Sequence, residues 1–214
     1  LRPRVAARPP PWRLVQTAWR NQSFRSFTIA YTVHGVGGLL MFLVIPIVLV
    51  DDFDAPFITV GALALAQGLA SVVGFSLWGR LSDRYSGPVA SVSSNSLSVV
   101  SGGLLIVAII TGSLWLVAVA FVVRGLQVAG YDIGWLTSVT AMAQPEQTSA
   151  LTTTFLVTIG IRGLIVPFVG TALIEAMGSM GTLAVTIGIV AVGSGLMVRV
   201  ARGFVPVPDD PETA

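Results

Sequence analysis

What most constrains this chain is where its charges are missing. Ser26 to Val50, Ala55 to Gly79 and Tyr85 to Val123 contain no Asp, Glu, Lys or Arg. Each run meets or exceeds the about 20 apolar residues that carry a helix across a bilayer core. Short charged segments separate them: "DDFD" from Asp51 to Asp54, and "WGRLSDRYSGP" from Trp78 to Pro88. Only 10% of the 214 residues are charged, and 54% are hydrophobic. A soluble domain carries about 25% charge, so the solvent around this chain must be mostly lipid. The fold class expected is an all-α membrane protein.

Composition also removes several chemistries. With no cysteine there is no disulfide framework, thiolate metal site or catalytic thiol, and one histidine cannot build a histidine metal cluster. A net charge of +2 is no argument for a nucleic-acid partner. No phosphate-cradling glycine loop appears, and no serine–histidine or paired-carboxylate arrangement stands out. Neither an enzyme nor a cofactor is implied.

Turn-forming segments divide the apolar stretches into six expected transmembrane helices, near 26–50, 57–79, 88–110, 114–138, 150–174 and 182–199. Residues 1–25 form a basic, proline-rich linker and 201–214 a tail. Six spans place both termini on one side. Six of the twelve arginines precede residue 26, Arg80 and Arg84 lie between spans two and three, and Arg199 and Arg202 follow span six. The opposite loops carry no arginine and four acids. Arginine bias marks the cytoplasmic side, so both termini are expected there, in a bacterial-type inner or plasma membrane. Prolines, arginines and tryptophans in the linker suit a headgroup region, as an interfacial connector or as an element that recognises anionic lipid. The chain opens on leucine, without the pattern of a signal peptide, so it is expected to begin inside a longer reading frame.

The turn after span two reads G-x-L-x-D-R, with Gly79, Leu81, Asp83 and Arg84 in place. In this it resembles the signature of the major facilitator superfamily. Ser86, Gly87 and Pro88 stand where that signature has a glycine and two basic residues. "RGLQVAG", Arg124 to Gly130, resembles the family's fourth-span motif, and "GIRGLIVPFVG", 160 to 170, its span-five proline–glycine stretch, with Val166 in place of a glycine. The resemblance implies two inverted three-helix repeats forming one half, the carboxy-terminal one, of a secondary transporter whose halves rock around a central site. Its other half is then in the same polypeptide or is a second copy of this chain. From a different class, a non-transporting sensor or assembly module with the same helices is the alternative. The resemblance also makes Gly79, Asp83 and Arg84 a conformational latch in the cytoplasmic loop. The alternative for Asp83 is simple charge balance with Arg80 and Arg84.

Ionisable groups inside a membrane cost roughly 2.5–3.5 kcal/mol on insertion scales, so each needs a reason. Arg124 lies ~15 Å into span four, and Gln127, Tyr131 and Trp135 follow at helical spacing. That stripe, with His34 of span one, reads as a cavity lining, against the alternative of an arginine satisfied by backbone carbonyls. Asp132 is the natural counter-ion to Arg124. Roughly level with it is His34 in span one, so the two are candidates for proton coupling; a hydrogen-bonded packing histidine is the competing reading. Arg162 is expected to be structural, bonded to carbonyls or an acid, on a packing helix that also holds Pro167 and Gly170. Two arginines against one acid favour a small solute that is anionic or bears a carboxylate. Pro46 and Pro167 read as kinks or hinges.

Overall fold

The structure, a computed structural model, describes residues 11–144 and 146–204. The first ten residues of the linker and the tail from 205 onward lie outside the described residues. Six α-helices and no strand are present among the described residues: α1 (Pro11–Arg20), α2 (Gln22–Asp51), α3 (Phe57–Arg84), α4 (Gly87–Thr111), α5 (Leu114–Ala141) and α6 (Thr148–Arg202). The five from α2 to α6 are long and apolar enough to cross a membrane.

The last of them is a hairpin. Its 55 residues would span about 82 Å if straight, far more than the about 30 Å of a hydrocarbon core. Gly178 interrupts it with φ 72° and ψ −179°, a conformation that glycine alone adopts without steric cost. The contacts of the two arms with α2 run in opposite senses. Arg162 meets Tyr31 and Gly170 meets Leu40 and Leu43 along the first arm. On the second, the order reverses: Ser179 bonds Asp52, Gly37 meets Val190, and Gly193 lies on His34. Each arm is long enough to cross, which makes six crossing-length segments. By the same logic α4 runs antiparallel to α5, with Gly134 on Ser91 and Gly130 on Ser94, while α3 runs parallel to α5.

Both ends of the described chain meet at one end of the bundle. There, Ala18, Phe24, Phe27, Val139, Met142, Leu151 and Met197 share a core. A second hydrophobic core at the opposite end joins Met41, Val48, Leu63, Leu105, Phe121 and Leu183. Asn21 fixes the junction of α1 and α2: its Oδ1 accepts from the Phe24 N–H at 3.0 Å and its Nδ2 donates to the Met142 carbonyl at 2.9 Å. One side chain thereby caps α2 and ties it to the α5–α6 connection.

Several boundaries differ from expectation, all at the α1 end. Helix α2 starts at Gln22 rather than 26, α5 continues to Ala141 rather than 138, and the region read as a linker contains α1. Helix α3 runs on to Arg84, so Gly79, Asp83 and Arg84 occupy its last turns and not a loop; only Tyr85 and Ser86 connect it to α4. Hydropathy registers where lipid stops, whereas a helix continues while its backbone bonds and side chains allow, and Arg, Leu and Ser tolerate that.

Candidate functional site

Three of the six crossings, α2, α5 and the first arm of α6, carry ionisable side chains to similar depths. The midpoint of α5 falls between Gln127 and Val128, that of α2 near Gly37, and that of the first arm of α6 at Arg162. At 1.5 Å per residue, Arg124 and His34 lie about 4–5 Å from their helix midpoints and Asp132 about 7 Å from its own. These groups therefore sit within the depth of the hydrocarbon core.

Arg162 reaches across the bundle from α6. Its Nη1 donates to the Tyr31 carbonyl at 3.3 Å and to the Tyr131 hydroxyl at 3.2 Å, and its guanidinium lies 5.8 Å from the Tyr31 ring centre. Gly35 makes that reach possible. A Cβ there would overlap the Arg162 guanidinium and come within 2.7 Å of the Tyr131 hydroxyl. Around the guanidinium the rings form one cluster: Tyr31 stacks on Tyr131 at 4.2 Å, Trp135 stacks on Phe155 at 5.2 Å, and Tyr31 contacts Phe155 at 4.9 Å. Tyr31, Phe155 and Gly35 are members that the sequence reading did not single out. A usable signal existed in α2, where Tyr31, His34 and Gly35 share one face.

Arg124 is in a different situation at the same burial, 8% exposed against 9% for Arg162. No hydrogen bond or ion pair joins it to another described residue, and its neighbour on the stripe, Gln127, is buried and likewise unbonded. Asp132, the expected counter-ion, does not meet it. Eight residues separate them on one helix, and Asp132 faces outward from the bundle, exposed. Tyr131 and Trp135 flank it, half-buried.

His34 does not meet Asp132 either. It is 1% exposed, with Nε2 3.4 Å from Ser98 Oγ and Nδ1 3.4 Å from Ser194 Oγ. Ser194 gives its only hydroxyl proton to the Val190 carbonyl at 2.8 Å. A tautomer with its proton on Nδ1 is consistent with this arrangement, Nε2 then accepting from Ser98. This network ties α2, α4 and α6 together. Of the other α4 serines, Ser93, Ser94 and Ser96 bond carbonyls of their own helix, whereas Ser101 donates to the Ala120 carbonyl of α5 at 3.0 Å and the Ser91 hydroxyl is buried without a partner among the described residues.

At the end of α3, Asp83 is exposed and bonded to no described residue, and Arg84 lies 5.6 Å from the Tyr85 ring. An aspartate in a last helical turn faces the negative end of the helix dipole, which favours Arg84 instead. What joins α3 to α5 there is neutral: Ser82 bonds Thr137 at 3.1 Å, and the Trp78 indole donates to the Leu126 carbonyl at 2.7 Å. In α6, Pro167 lies inside the first arm, and Gly170 lets that arm close on Leu40 and Leu43 of α2.

Comparison with curated proteins and with solved structures finds no match to this chain. Comparison with protein families matches residues 27–214 to the Major Facilitator Superfamily. That range takes in five of the six helices and every residue of the midplane cluster. The chain, an integral multi-pass membrane protein, belongs to the Major Facilitator Superfamily.

Proposed function

We propose that the chain is one six-crossing half of a secondary transporter that moves a small solute by alternating access, with the α1 end in the cytoplasm. The observation that carries this is Asp132. A carboxylate exposed on the flank of a bundle, about 7 Å from the middle of its helix, cannot face hydrocarbon at tolerable cost. It needs a water-filled space or a second set of helices, and a six-helix half facing its counterpart across a cavity supplies both. Arg124, Gln127, Tyr131 and Trp135 on the same helix form the adjoining wall. The other half belongs to the same polypeptide or is a second copy. Because Arg124 and Arg162 are buried with no acid bonded to either among the described residues, the solute that fits is anionic. Gly79, Asp83 and Arg84 keep the proposed role of a latch, with Asp83 free on the surface of α3 to engage the counterpart half.

The absence of cysteine makes a direct test available. Asp132→Cys and, on the apolar flank, Phe168→Cys each introduce one thiol; Phe168 is 75% exposed in the bundle. Only a thiolate in water reacts readily. In membranes, residue 132 should label with an impermeant maleimide at least about tenfold faster than residue 168. Equal, slow labelling of both would place Asp132 against lipid or buried protein and remove the cavity.

A further inference from the structure

A groove of about 610 Å³ opens at the α1 end between the start of α2 and the end of α6. Its lining changes character along the membrane normal. Gln22, Ser23 and Ser26 of α2 and Arg199 of α6 form a polar upper rim. Ile29 lies about 10 Å further along α2 from Gln22, and one turn deeper on α6 the lining residue is Leu196. Val200 and Phe204 complete an apolar side wall. No acid lines it among the described residues, and Arg199 is exposed, its side chain bonded to no described residue.

We propose that this groove holds one anionic phospholipid, with the headgroup phosphate at Arg199 and the acyl chains running down past Ile29 and Leu196. Three features converge on an amphiphile rather than a free anion. The groove lies where α2 emerges from its uncharged run, so its rim is at headgroup depth. Its cation and hydroxyl donors stand on that rim and suit a phosphodiester. Its apolar part faces inward, where a free phosphate gains nothing and a hydrocarbon chain buries surface. Basic pockets between helices at a membrane surface are the physical basis of such recognition.

The test uses purified protein in a non-ionic detergent, titrated with dioleoyl phosphatidylglycerol or dioleoyl phosphatidylcholine, with bound lipid read by native mass spectrometry. The anionic lipid should bind about fivefold more tightly, the contribution of one arginine at a membrane surface. Arg199→Gln should abolish that preference and Arg199→Lys should keep most of it. Arg80→Gln removes the same charge from another helix at the same end, and should leave the preference intact. A preference that survives Arg199→Gln, or falls equally with Arg80→Gln, would overturn the site in favour of diffuse attraction. Displacement of the lipid by equimolar inorganic phosphate would make it an anion site instead.

Discussion

Arg162 and Arg124 are the same residue, at similar depth and nearly equal burial, and the bundle treats them oppositely. Arg162 is built in through its Nη1: a carbonyl, a hydroxyl, a tyrosine face and a glycine vacated for it define its position, while its Nε is buried without a partner among the described residues. Arg124 is buried to nearly the same extent and has no bonded partner among the described residues. A buried cation without compensation is unfavourable, and on the proposed reading the solute or the counterpart half supplies that compensation for Arg124. The contrast separates a guanidinium that organises the protein from one that is kept ready for something else.

The largest expected effect comes from neutralising each of these two in turn. Arg162→Gln removes two charge-assisted hydrogen bonds, each worth about 1.5–3 kcal/mol, and leaves the Tyr131 hydroxyl to find a new partner. Relief of a buried charge returns part of this, so a net destabilisation of about 2–3 kcal/mol is expected. Arg124→Gln loses no bond to described residues and should be neutral or stabilising, while weakening the binding of carboxylate solutes. Equilibrium unfolding in detergent, paired with thermal-shift titration against a panel of small carboxylates, reads both. Equal destabilisation by the two variants would erase the distinction between them.

A smaller effect tests why Arg162 is held where it is. Gly35→Ala places a methyl group where the guanidinium lies, so the arginine or the helix must move. Overpacking of this kind costs about 1–3 kcal/mol. If displacement of Arg162 is the cause, the same change made beside Arg162→Ala should cost much less, since the obstacle is gone. Additive costs in that double-variant cycle would mean that Gly35 matters for helix contact alone.

How much of this could be read beforehand follows from what each rule measures. The crossing segments were legible because a bilayer imposes composition on length, and the stripe Arg124, Gln127, Tyr131 was legible because 3.6 residues make a turn. The hairpin in α6 was visible as a turn near "EAMGSMG", though not that one residue, Gly178, makes it. His34 is bonded to Ser98 and Ser194 and not to Asp132, because distance along a helix sets height and says nothing of azimuth. Asp132 follows Tyr131 by one residue, which rotates it about 100° away from the face that packs inside. Ser98 and Ser194, which do hold His34, belong to helices whose placement no single-helix pattern reveals. Tyr31, Phe155 and Gly35 were missed for the same reason, since their role exists only once α2, α5 and α6 meet.

The smallest effect isolates one bond within the built-in site. Tyr131→Phe deletes the hydroxyl that accepts from Arg162 and leaves the ring stacked on Tyr31 at 4.2 Å. Arg162 Nη1 still has the Tyr31 carbonyl, so the guanidinium is weakened in its site without being expelled. A loss of about 1 kcal/mol is expected, the worth of a single hydrogen bond whose donor keeps a second acceptor. The change should also leave lipid preference at Arg199 untouched, because the groove lies at the α1 end and shares no residue with this cluster. A cost as large as that of Arg162→Gln would mean that the hydroxyl, and not the carbonyl, anchors the arginine. The cluster would then be organised from α5, the helix that also carries Arg124, and a solute engaging that helix would disturb the aromatic packing directly.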